Sequence, residues 1–187
     1  KVIQDLLAQK LNDNKVSLEG RLIVLKAMAQ SGLKEAPANW IAELVRCLNE
    51  NNGTTAEAIK TARQLRYPKK LPENFTLAVF NVGNDGSLPE AVRLQALTVL
   101  PPGSQTFPAP LFAFVRERLT PEKPVLLRGL ASEAIARAKL NPDQLQSLAK
   151  SLGQVGPMEM EKVLECFAQA PSDPLGKQLL DSLKGLK

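Results

Sequence analysis

Apolar residues return along this chain at a nearly constant interval, and that interval constrains the fold more than any other feature. Leu7, Ile41, Phe75, Leu111, Leu145 and Leu179 are separated by 34, 34, 36, 34 and 34 residues. Four positions after each stand Leu11, Val45, Val79, Val115, Ala149 and Leu183. A separation of four puts each pair on one face of a helix. A second column falls between them: Ala27, Ala62, Ala96, Ala131 and Cys166, spaced by 35, 34, 35 and 35. Small residues at a fixed place in a second helix let neighbouring helices approach closely.

Each interval therefore holds two helices. The first of each pair is predicted at about 2–11, 38–50, 72–82, 108–119, 142–152 and 173–185, the second at about 18–31, 54–66, 88–100, 122–139 and 157–169. Ser17, Thr54, Ser87, Thr120 and Asn141 stand where N-caps belong, with Pro89, Pro121 and Pro142 in first turns. Turns are marked at 51–53, 83–86 and 153–157, and the one longer interval carries a proline-rich insertion at 100–110. One helix pair cannot bury its apolar face alone, so neighbours must stack. The expected fold is all-α: a right-handed α-α superhelix, or α-solenoid, of about five helix pairs plus a terminal helix, filling 1–187 as a single domain. The chain opens and closes inside helical pattern without an initiator Met, which reads as a piece excised from a longer multidomain protein.

The composition narrows the chemistry. Histidine is absent, which removes the commonest general base and the commonest metal ligand. Aromatics make up only 4% of 187 residues, too few for a typical sandwich or barrel core. No apolar run approaches the ~20 residues that a membrane-spanning helix needs. Cys47 and Cys166 belong to no CxxC or CxxCH. Their spacing leaves a disulfide open, while the apolar helical context of each favours two small buried thiols.

The segment Pro89-Glu90-Ala91-Val92-Arg93-Leu94-Gln95-Ala96-Leu97-Thr98-Val99-Leu100 resembles the second helix of a HEAT repeat, with its Pro start, Val-Arg pair, Ala and terminal Leu. Arg128 recurs 35 residues after Arg93. The other second helices carry only the apolar and small positions of that pattern. The resemblance implies that Arg93 and Arg128 are structural, bonding neighbouring turns or acids, with Glu90 or Glu133 as neutralising partners; the other reading places them in a concave groove with a functional role. The phrase from Gly86 to Leu100 is also similar to the HEAT-like segment of large multidomain bacterial proteins of the planctomycete group. There a propeller-type dehydrogenase domain precedes it and a cytochrome c-type haem domain follows. That likeness implies a spacer between redox domains, in an exported or periplasmic protein.

Charge supplies one local signal. Lys and Arg number 24 against 19 acids, and the whole excess of +5 is matched by Lys60, Arg63, Arg66, Lys69 and Lys70, with no acid among them. On the helix predicted at 54–66, Lys60, Arg63 and Arg66 step by three and so share one face. The segment reads either as a surface for an anionic partner or as a solvated face whose basic end complements the helix dipole. Trp40 reads as packing between helices or as a partner anchor. Phe75, Phe80, Phe107, Phe112, Phe114 and Phe167 read mostly as core. The acid pairs Glu159 with Glu161 and Glu117 with Glu122 have no nucleophile or metal-ligand company.

No catalytic, cofactor or metal site is expected, and no small-molecule substrate. The expectation is a non-enzymatic scaffold or spacer that contacts a protein partner or neighbouring domains of its own polypeptide. The alternative is nucleic-acid binding through the basic patch at 60–70.

Overall fold

The structure is a computed structural model that describes residues 2–50, 53–169 and 173–184. Among the described residues the chain forms eleven α-helices, two short 3-10 turns and no strand. Asn51 and Asn52 of the expected first turn, and residue 185 of the expected last helix, lie outside the described residues. The chain divides into two compact units, residues 1–99 and 100–187.

The first unit contains α1 (Val2–Asn12), α2 (Leu18–Ala29), α3 (Ala38–Asn49), α4 (Thr55–Gln64), α5 (Glu73–Asn84) and α6 (Glu90–Leu97). Each odd helix packs on the even helix that follows it. In addition α1 packs on α3 and α3 on α5, while α2 packs on α4 and α4 on α6. The repeat columns line these contacts. Leu11, Ile41, Phe75, Val79, Ala62 and Ala96 are buried. Full burial of a Leu- or Phe-sized side chain contributes about 1.5–3 kcal/mol, so a column of them dominates the stability of each seam. Ala27 departs from expectation, for it is exposed while Leu25 and Met28 beside it are buried. Ala27 lines an open groove with Leu7, Leu33 and Trp40 instead of a helix seam.

The second unit contains α7 (Ala109–Glu117), α8 (Val125–Arg137), α9 (Pro142–Lys150), α10 (Pro157–Glu165) and α11 (Asp173–Lys184), with 3-10 turns at Leu152–Gln154 and Cys166–Gln169. Here α7 packs on α8, α8 on α10, and α9 on α11. Leu111, Val115, Leu145, Ala149, Ala131 and Cys166 are buried. The proline-rich stretch is part of this fabric. Gly103, at φ +69°, occupies the place in the Pro102-Gly103 turn where only glycine is unstrained, and Ser104 N–H closes that turn on Pro101 O at 3.2 Å. Gly103 N–H then donates to Arg137 O and Lys139 N–H to Gln105 O, both at 2.8 Å. Phe107 is buried, and its carbonyl accepts from Gln144 Nε2 at 2.7 Å.

Helix starts follow local capping chemistry, with corrections. Ser17 accepts from Gly20 N–H, and Asn141 forms a reciprocal capping box with Gln144. Thr54 is an N-cap by position, but its buried hydroxyl donates to Cys47 O instead of capping. Ser87 caps nothing: Asp85 Oδ1 accepts both Ser87 N–H and Ser87 Oγ, and α6 starts after Pro89. Those two bonds hold the Asp85 carboxyl below its usual range. Thr120 and Pro121 likewise precede a turn, and α8 begins after Pro124. A residue before proline is biased away from helical angles, so with two prolines in one loop the later one sets the start.

Candidate functional site

The basic segment is split by the end of α4. Lys60 and Arg63 lie on the helix, whereas Leu65 is its C-cap at extended ψ and Arg66 lies beyond it. The three-residue step therefore stops at Arg63, and the expectation of one continuous helical face for Lys60, Arg63 and Arg66 is corrected. Lys60 Nζ is 3.5 Å from Glu57 Oε2, and Arg63 is not free either. Arg66, Lys69 and Lys70 stand exposed on the connection to α5.

That connection is anchored at its centre. Tyr67 Oη donates to Ala62 O at 2.8 Å, and its ring centroid lies 5.2 Å from that of Phe75. Burial pushes the Tyr67 phenol well above its ordinary range. The Arg66 carbonyl accepts from Ala36 N–H at 2.7 Å, and Pro68 has a fixed φ.

The two repeat arginines sit in different settings. Arg93 Nε donates to Gly83 O at 3.1 Å, joining α6 to the end of α5. Arg128 Nε donates to Glu159 Oε1 at 3.2 Å, and its Nη1 donates to Pro121 O at 3.0 Å. The acid that meets Arg128 is thus Glu159 of α10, and Glu133 stands 3.5 Å from Arg137. Glu159 is 3% exposed, and its Oε2 has no hydrogen-bond partner. Its expected companion Glu161 is exposed, as is Glu122, while Glu117 pairs with Arg118.

The remaining candidates are taken up by packing. Trp40 is 1% exposed, and its Nε1 donates to Gln4 O at 2.8 Å, tying α3 to α1. Of the phenylalanines, Phe80 alone is half-buried and the rest are buried. Both cysteines are free thiols in buried positions. Burial raises the Cys47 thiol and pushes that of Cys166 up to about 12. A protonated thiol of that kind is a small apolar group and not a nucleophile.

One arginine went unremarked in the sequence. Arg46 bonds Glu43 at 2.9 Å and Glu50 at 2.8 Å on its own helix and also donates to Leu11 O of the preceding pair. The Glu-Arg-Glu spacing of three and four was the legible signal. Among the described residues no group of three acid or thiol side chains is placed to hold a metal ion. No described helix is long and apolar enough to cross a membrane. In the first unit an uncharged groove of about 670 Å³ is lined by Val2, Ile3, Leu7, Ala27, Leu33 and Trp40. In the second, a hollow of about 330 Å³ is lined by Arg116, Glu117, Leu119, Ser147, Lys150 and Val155 among others. No known family, characterised protein or solved structure matches the chain.

Proposed function

We propose that the chain is a HEAT-like α-solenoid that acts as a non-enzymatic scaffold, docking a protein partner or neighbouring domains of its own polypeptide. The observation that carries the reading is the reach of its hydrogen bonds. Trp40 to Gln4 spans 36 residues, Arg46 to Leu11 35, Thr61 to Leu25 36, Gln144 to Phe107 37, and Arg137 to Leu100 37. Arg128 to Glu159, Arg116 to Ser147 and Cys166 to Ile135 each span 31. These bonds support the reading because each reaches about one repeat along the chain within its own unit, the nearest-neighbour bonding that a solenoid needs. They also engage polar side chains that an enzyme would need to converge on a substrate.

The test is cross-linking mass spectrometry on the native polypeptide. Cross-links from exposed helix residues to another domain or a second protein are expected. Cross-links confined to the chain itself overturn the docking role. The finer likeness, to a spacer in a planctomycete-type redox protein, is tested by the parent sequence. A β-rich segment upstream and a CxxCH downstream are expected, and their absence from the parent overturns it.

A further inference from the structure

We propose that Arg66, Lys69 and Lys70 form a preorganised cationic loop that docks a short acidic segment of a protein partner. The inference rests on the docking role proposed above and assigns it a place and a partner chemistry. Three observations lead to it. The three side chains are exposed, and among the described residues no acid pairs with them, whereas Lys60 lies 3.5 Å from Glu57. The backbone that presents them is fixed by the Tyr67 hydroxyl on Ala62 O, the Tyr67 ring beside Phe75, and the Ala36 N–H on Arg66 O. Little backbone entropy is then lost on binding, which removes one of the costs of association. The adjoining loop contributes exposed Lys34 and Glu35, which cancel each other and leave the surplus on 66–70.

The size of the patch selects the partner. Arg66 to Lys70 covers four residue steps, at most about 14 Å of extended chain. That length matches a few acidic side chains of a bound peptide. Proteins that bind duplex DNA through its phosphates make about 6–10 such contacts. Three cations fall well short, and Tyr67, the one aromatic on the loop, has its hydroxyl and ring already engaged.

The experiment is fluorescence anisotropy with a labelled peptide of consecutive glutamates flanked by Gly-Ser, run beside a labelled DNA duplex at low and at near-physiological salt. Peptide binding that weakens with salt is expected, with a loss of about tenfold in a variant carrying Arg66→Gln, Lys69→Gln and Lys70→Gln. A second variant, Lys60→Gln with Arg63→Gln, is expected to change binding less than about twofold. Unchanged circular dichroism and melting of both variants are the check that the fold persists. Absence of peptide binding at low salt, an unaffected triple variant, or tighter binding to the duplex each overturns the proposal. Cross-links to a partner at other surfaces, found with no peptide binding, would leave the scaffold reading standing and remove this loop from it.

Discussion

Residues 2–97 and 100–184 build the same period with different chemistry. In the first region the seams between helix pairs are closed by two neutral donors and one half-buried arginine on backbone carbonyls: Trp40 on Gln4, Thr61 on Leu25, Arg46 on Leu11. In the second they include a buried ion pair, Arg128 with Glu159, and a proline-rich strap hydrogen-bonded to residues 137–139. The apolar columns run through both. The period is thus set by packing, while the polar bond that closes each seam differs from one seam to the next.

The largest expected effect breaks the second region alone. Arg128→Ala leaves Glu159 buried without its cation and should cost about 3–5 kcal/mol. Urea unfolding should show that loss in 100–187, and replacing both residues by methionine should recover most of it. A loss under about 1 kcal/mol would mean that water reaches Glu159.

Alkaline pH gives the next largest effect. The folded Cys166 thiol keeps its proton until about pH 12, whereas its ordinary value is 9.0. A raised folded pKa contributes stability that is complete below pH 9 and is lost as pH climbs through 12, by at most about 1.4 kcal/mol per pH unit. Cys166→Ala should flatten this slope for the second region. The first should keep its own decline, since burial also raises Cys47 and Tyr67. Unfolding curves across that pH range distinguish the two.

One substitution should have opposite signs in the two regions. A Cβ on Gly83 would lie 2.4 Å from Leu97 Cδ2, because α5 and α6 touch there. Gly83→Ala should cost about 1–3 kcal/mol in overpacking, partly offset by about 1 kcal/mol of helix propensity. A Cβ on Gly129, exposed in mid-α8, meets open space, so Gly129→Ala should stabilise by about 1 kcal/mol. Thermal melts of the two variants give the sign directly, and a stabilised Gly83→Ala would show that Leu97 yields.

The smallest contrast is between caps. Ser17→Ala and Asn141→Ala should each cost about 1 kcal/mol, since each loses one side-chain acceptor for a helix N–H while the Asn141 N–H keeps its bond to Gln144 Oε1. Denaturant midpoints check both losses, and a loss well under about 0.5 kcal/mol at either site would show that water replaces the cap.

Most helices were legible because their signals are local: a column every 34 residues, a cap, a turn glycine. Errors fell where two local signals competed or where the answer lay one repeat away. Asp85 captured Ser87, and Pro124 took over from Pro121 as the start of α8. Arg66 kept the helical step in sequence, yet α4 had ended. Glu159 could not be matched to Arg128 beforehand, since a pairing at 31 residues depends on which turn of α10 faces α8. The cationic segment was legible as a run of charge. Its division into a paired part and an unpaired loop was not, because that depends on where α4 stops and on what anchors Tyr67.

The short reach of the seam bonds has a consequence for biogenesis. Trp40, Arg46 and Thr61 each find their acceptor 35 or 36 residues back along the chain. A nascent polypeptide leaving the ribosome can therefore close each of these seams as soon as one further repeat has emerged. Contacts so local in sequence favour fast closure, and the growing end exposes one unfinished face at a time.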